Sequence, residues 1–281
     1  MTSILTNNGA MVALQTLQSI NNNLTDTQNA ISTGKEINSA SDNSAIWAIS
    51  KVMESDVAGF NAVSDSLSLG EATVEVALAG AEQITEILKD IKEKVVQATG
   101  ENVDHTKIGA EISQLTEQVT QIIAGSQFNG ANLLNTSIDA AGNSELTVLS
   151  SLDRSGTTVT PANITIASVD FQAGALDSNL AAVDVSDAAT AESSLASIEA
   201  AIQAAVDGAA ALGAGASRIS DQKEFVNKVS DAMKSGIGAL VDTDMEAASA
   251  RLKALQTQQQ LGVQALSIAN SAPQTLQQLF R

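Results

Sequence analysis

The chain has 281 residues, with 14 Lys plus Arg against 32 Asp plus Glu and a formal charge of −18 at pH 7. That balance is unsuited to a nucleic-acid backbone or an anionic membrane surface, both of which require clustered cations. No cysteine, one histidine and 2% aromatic residues argue against disulfides, thiol chemistry, a multi-histidine metal site, a histidine-based triad and an aromatic-lined pocket. Composition therefore points away from an enzyme and from a cofactor.

The segment Met1 to Ala10 has neither the positive start nor the continuous apolar stretch of a secretion signal. The chain contains no run of 18 apolar residues, so no membrane span is expected. Two destinations stay open at this point: the cytosol, or export by a machine that reads an uncleaved N-terminus.

The first predicted helix carries Ala10, Leu14, Leu17, Leu24 and Ile31 in a heptad, with Asn21 and Gln28 at its two polar core positions. A second and longer series begins at Ile46. It runs through Ile49, Met53, Phe60, Val63, Leu67, Val74, Ala77, Ala81, Ile84, Leu88, Ile91 and Val95, and Thr99-Gly100 ends it. A 3.5-residue period held that long predicts a supercoiled helix of about 75–80 Å, a rod rather than a globule. Ile108, Ile112, Leu115, Val119 and Ile122 then predict an antiparallel return helix stopping before Gly125.

Between Asn135 and Asp187 the period changes to two. Glu145–Leu149 and Asn163–Val169 alternate and are rich in β-branched residues, with Ser155-Gly156 as the turn between them. The expectation is one small β-hairpin, too short for a deep catalytic site. Heptads resume from Ala191 to Leu240, interrupted by Lys223 and Ser230, with Gly213 and Gly215 as places where the helix could bend. The last predicted helix carries Met245, Ala248, Leu252, Leu255, Gln259, Gly262, Leu266 and Ala269.

The two ends share a property that the rest lacks. Residues 1–25 and 254–280 contain no charged side chain. An uncharged amphipathic helix costs little to desolvate, yet alone it has too small a packing face to be stable in water. Such ends are expected to order when neighbours cover them. The assembly face is assigned to Leu5, Leu14, Leu17, Leu24 and Ile31 at one end. At the other it takes Leu252, Leu255, Leu261, Leu266, Leu276, Leu279 and Arg281.

Five segments in order resemble bacterial flagellins. Thr33-Gly-Lys-Glu-Ile-Asn-Ser-Ala-Ser-Asp42 is similar to the family's segment after the first helix, and Gln127-Phe-Asn-Gly130 to its F-N-G turn. Val241-Asp-Thr-Asp-Met245 with Ala247-Ala-Ser249, then Gln260–Asn270, then Leu276–Arg281 resemble the family's last helix and C-terminus. The short form with Ala45-Ile-Trp47 is similar to alphaproteobacterial flagellins.

The resemblance implies a mainly α fold, a heptad-patterned helical rod made from paired N- and C-terminal segments with a small β-hairpin in the middle. Residues 1–41 plus 243–281 would form an inner tube, 42–135 plus 188–242 an outer tube, and 136–187 a solvent-facing variable region. It implies a non-enzymatic subunit that polymerises head to tail into an extracellular filament for swimming after type III export. An export chaperone, a filament cap and junction proteins are its implied partners, with neither nucleic acid nor membrane. A hook–filament junction protein and a cytoplasmic signalling coiled coil are the alternative readings. Many family members are recognised by a Toll-like receptor through a helical segment Q-R-V-R-E-L-A-V-Q. Here the stretch reads Lys89-Asp-Ile-Lys-Glu-Lys-Val-Val-Gln97, with Asp90 for the Arg and Lys94 for the Leu, so weak or no recognition is expected.

The remaining motifs read as structure. His105 sits in a polar interhelical segment without clustered metal ligands, and Asp242 and Asp244 suit a helix start rather than acid–base chemistry.

Overall fold

The structure, a computed structural model, describes residues 7–156 and 158–279, with side chains given as far as Ser271. Helices α1 (Asn8–Thr33), α2 (Ser44–Ala98) and α3 (His105–Gly125) precede strands β1 (Glu145–Ser155) and β2 (Thr158–Ala167). Helices α4 (Ala175–Ala181), α5 (Ala188–Val241) and α6 (Met245–Leu279) follow. The mainly helical fold with one hairpin is the one expected. The chain divides into two units, one made of Ala58–Asp231 and the other of the residues up to Val57 with those from Ala232 onward.

In Ala58–Asp231 the core is the heptad seam itself. Val63, Leu67, Val74, Ala77, Ala81, Ile84, Leu88, Ile91 and Val95 of α2 are fully buried. They face Ala191, Ile198, Ala201, Ala205, Leu212 and Ile219 of α5, also fully buried. Each buried Leu, Ile or Val contributes about 1.5–3 kcal/mol, so this seam is a large source of stability, joined in one core by Leu133, Leu134, Phe171 and Leu176. The two helices run antiparallel, Ser64 donating to Asn227 at 3.0 Å and Lys223 to Glu71 at 2.8 Å. The two polar interruptions in α5 are thus used: Lys223 forms that ion pair, and Ser230 is buried and bonds Asn61 at 3.4 Å. Helix α5 passes through Gly213 and Gly215 unbroken.

Helix α3 starts on its N-cap Asp104, whose carboxylate accepts from the Lys107 N–H, and ends where the Ser126 N–H bonds the Ile122 carbonyl. The Phe128 and Ala131 backbones exchange N–H···O bonds at 2.9 Å across Asn129 (φ 50°) and Gly130 (φ 82°). Two successive positive φ angles make a type I′ turn, the reason this segment reads F-N-G. Beyond it Asn132 is buried, its amide donating to the Ile123 carbonyl at 2.6 Å and accepting from the Leu134 N–H at 2.9 Å.

The hairpin is antiparallel, with Leu146 opposite Ile166, Val148 opposite Ile164 and an irregularity between Leu149 and Ser151. Its buried face is Val148, Ile164 and Ile166, directed at α2 and α5. Both strands reach further toward the turn than the alternation predicted, because residues 153–156 and 158–163 are exposed on both faces and carry no apolar rhythm. At the other end β2 stops at Ala167, and Val169 instead donates its N–H to the Leu133 carbonyl. Helix α4, seven residues long, was not expected; it buries Leu176 and Leu180.

Candidate assembly surface

The candidate site is the α1·α6 pair and its root, all within the unit that holds both chain ends. Helix α1 begins on Asn7, whose side-chain oxygen accepts from the Ala10 N–H at 3.1 Å. The same amide donates to the Ala269 carbonyl of α6 at 2.7 Å. Further along, Gln259 donates to Asn21 at 2.7 Å. Between them Gly262 lets α1 come close: a Cβ there would lie 3.1 Å from Leu17 Cδ1 and 3.8 Å from Ile20 Cδ1. The pair is therefore antiparallel and, among the described residues, joined by amide–amide and amide–carbonyl bonds.

The seam of α1 follows Ala10, Ala13, Leu17, Ile20, Leu24, Thr27 and Ile31, all partly or fully buried. Thr27 is its most buried member, its hydroxyl satisfied by the Asn23 carbonyl at 2.7 Å. On α6 the seam runs through Ala248, Leu252, Leu255, Gln259, Gly262, Leu266 and Ala269. Of the residues assigned from sequence, Leu17, Leu24, Ile31, Leu252, Leu255 and Leu266 lie on this intrachain seam. Leu14 and Leu261 do not; they are 50% and 58% exposed. Asn21 and Gln28 are exposed rather than in the core. Leu5 and Arg281 lie outside the described residues, as do the side chains of Leu276 and Leu279.

Leu14 and Leu261 have exposed company that sequence reasoning missed. Met11, Val12, Val263 and Ile268 are 65%, 63%, 54% and 71% exposed. Isolated exposed apolar residues are ordinary on a protein surface. A set confined to the charge-free stretches 1–25 and 254–280 is a different matter, because no charged side chain of those stretches keeps the surface in water. The available signal was that these residues fall off the heptad seam.

The root of the pair holds the charged motifs together. Gly34 ends α1 at φ 70°, the left-handed C-cap that glycine adopts without penalty. Its carbonyl accepts from the Thr243 N–H at 3.0 Å, and the Glu36 N–H donates to the Val241 carbonyl at 2.8 Å. Asp42 accepts from the Ser39 and Asn38 N–H groups at 2.8 and 3.0 Å. Those backbone donors, Ser39 first, hold its carboxyl below the usual aspartate range. Asp244 caps α6, accepting from Glu246 and Ala247, which is the helix-start role expected for it. A cavity of about 340 Å³ at this root is lined by Asp26, Glu36, Asp244 and Arg251 among others. Among the described residues no group of three or more His, Asp or Glu is placed to hold a metal ion.

Three of the five motif segments sit at joints: 33–42 between α1 and α2, 127–130 after α3, and 241–249 at the start of α6. The family model for the bacterial flagellin N-terminal helical region matches residues 4–139, and that for the C-terminal helical region matches residues 195–280. A flagellin of Brucella melitensis biotype 1 is 42% identical, covering 100% of both chains. Flagellin FljN of Caulobacter vibrioides is 39% identical over 99% of this chain and 98% of its own. Flagellin A of Rhizobium meliloti is 34% identical over the whole of both. Among solved structures, a putative flagellar hook-associated protein from Vibrio parahaemolyticus superposes with TM-score 0.50 at 15% identity, covering 72% of this chain and 100% of that one; at that identity the likeness concerns the fold alone. Two family models together spanning more than half the chain, and full-length relatives above 30% identity, place this chain in the bacterial flagellin family.

Proposed function

We propose that the chain is a structural subunit that polymerises with other copies of itself into the extracellular flagellar filament used for swimming. The observation that carries this reading is the α1·α6 pair, charge-free over 1–25 and 254–280 yet exposing Met11, Leu14, Leu261 and Ile268. A surface of that kind is stable only when covered. Copies of a strongly acidic chain can cover one another there because those segments bring no like charges together. Contacts between different patches of successive copies propagate as a helical polymer where their rotation does not close a ring.

The finer reading follows from the same physics. The ends order on assembly: fixing about 70 residues costs on the order of 1–2 kcal/mol each, which buried apolar faces and new helical hydrogen bonds must offset. The inner tube is assigned to 1–41 with 243–281, the outer tube to 42–135 with 188–242, and the outer surface to 136–187. A chaperone, a cap and junction proteins serve the subunit on its way. The chain performs no catalysis.

The test is extension of short filament seeds followed by electron microscopy. Wild-type chains should lengthen the seeds, while a Leu14→Glu/Leu261→Glu variant, altered only at exposed positions, should keep the monomer's circular dichroism and fail to add. Wild-type chains that stay folded and never extend seeds would remove the filament reading.

A further inference from the structure

Helix α5 is more apolar than its own chain buries. Residues 195–212 reach a mean hydropathy of 1.3, by length and composition enough to cross a membrane, with 28% of the stretch buried. The buried positions are Ile198, Ala201, Ala205, Gly208 and Leu212. Helices of that character are ordinarily covered on most sides. The uncovered part centres on Val206, 43% exposed, with the half-buried Ala209 and Gly213 following at i+3 and i+7 on the same face. Val206 and Ala209 line an open groove together with Ala79 and Glu82 of α2.

Gly213 adds an independent observation. A glycine inside a helix costs about 1 kcal/mol relative to alanine, so it calls for a reason. The neighbouring interior glycines of α2 and α5 have theirs within the chain. A Cβ would collide with Leu152 at Gly59, with Val148 at Gly70, with Ser126 and Leu134 at Gly80, and with Val169 and Phe171 at Gly208. At Gly215 it would crowd Ile166 at 3.1 Å. A Cβ at Gly213 would meet nothing within 4 Å. The missing side chain leaves room for something the chain does not itself supply.

We propose that this α2·α5 groove is a contact between copies, in which a second copy of the chain seats against α5 at Gly213. The inference rests on the filament reading above and names a surface for it. Each copy carries a formal charge of −18, so contact falls where the Ala79, Val206 and Ala209 floor is uncharged and where the acidic rim, Glu82 and Glu86, can meet a cation. The matching patch lies on another face of α5. Phe225 is 56% exposed, and Arg218, seven residues earlier on the same face, is exposed as well. The ring fits the apolar floor and the guanidinium meets the Glu82 carboxylate. Groove and knob are different patches on one copy, which is the requirement for a contact that propagates rather than closes.

The chain has no cysteine, so single thiol probes report cleanly. A V206C variant is alkylated with a maleimide dye as monomer and again after extension from wild-type seeds, beside S155C at the exposed hairpin end. The V206C rate should fall at least tenfold in filaments while the S155C rate changes less than twofold. Equal V206C rates in monomer and filament overturn the proposal. So does protection of the V206C monomer by phosphatidylcholine vesicles with none in filaments, which would assign the groove to lipid. In parallel, Gly213→Leu should leave the monomer's unfolding temperature unchanged and slow seed extension at least tenfold; extension at the wild-type rate overturns the close approach. Failure of the wild-type chain to extend seeds at all is the separate failure of the filament reading.

Discussion

The Thr243 N–H donates to the Gly34 carbonyl at 3.0 Å, so a backbone bond ties the exit of α1 directly to the entry of α6. Gly34 makes it possible. At φ 70°, with nothing within 4 Å of the place a Cβ would take, the site is open in space and restricted only in backbone conformation. Gly34→Ala is therefore expected to cost about 1–2 kcal/mol, the left-handed penalty of an L-residue, with no clash added. Urea denaturation of the two proteins measures it, and an unchanged midpoint would show that the joint tolerates another conformation.

Asn132 is the second joint. Its amide satisfies the Ile123 carbonyl and the Leu134 N–H at the foot of α3, in a buried position. Asn132→Leu leaves both backbone groups without that partner, at about 1–3 kcal/mol each. The expected loss is about 2–6 kcal/mol in chemical denaturation, with faster amide exchange at Leu134. A loss below about 1 kcal/mol would mean that water replaces the side chain.

The helices were legible because burial follows period. Every position from Val63 to Val95 named in the α2 heptad is fully buried. The α1 seam was half legible. Leu14 is the expected member by size, but the helix buries Ala13 and Ile20 more than Leu14. Close helix approach selects small residues at the contact, and residue size then misleads. The distal hairpin failed for a different reason: Asp153, Arg154, Thr158 and Thr160 face solvent on both sides, so no alternation exists to be read. Gly213 was visible only as a point where α5 could bend. Its meaning required seeing which neighbours the other glycines accommodate.

Two helix caps predict the acid limb of stability. Asp187 accepts from the Thr190 N–H at 2.8 Å and donates its own N–H to the Thr190 hydroxyl at 3.0 Å. The Thr190 N–H, then its hydroxyl, hold the Asp187 carboxyl below the usual range. Asp104 is lowered first by the Lys107 ammonium, 3.0 Å away, and then by the Lys107 N–H. A carboxyl depressed in the folded state contributes stability that is fully present above its unfolded pKa of about 3.9 and is lost as pH falls through the folded value. The unfolding temperature should stay level from about pH 5 to pH 7 and drop below about pH 4. Asp187→Asn keeps a capping oxygen and removes the titrating group. It should match the wild type at neutral pH and show a shallower acid limb; an acid limb as steep as the wild type's would assign the effect elsewhere.

The α2 segment from Lys89 to Gln97 predicts poor innate recognition of this chain. Ile91 and Val95 are fully buried in the seam, so the segment presents its other faces. Asp90 is exposed where the similar family segment has arginine, and Lys94 is tied to Glu111 of α3 at 2.7 Å where that segment has leucine. The Glu111 carboxylate, as hydrogen-bond acceptor and as charge, raises the Lys94 pKa, so the lysine stays an ion at every physiological pH. A receptor surface built for a cation beside an aliphatic side chain meets the opposite charge at one position and a paired ammonium at the other, and both mismatches act against binding. Monomeric wild-type chain should give little response in Toll-like receptor reporter cells. Asp90→Arg/Lys94→Leu should raise it at least tenfold, since the two changes restore the contact chemistry without touching the buried seam. A strong response from the wild-type chain, or none from the double variant with its fold intact, would place recognition on another surface.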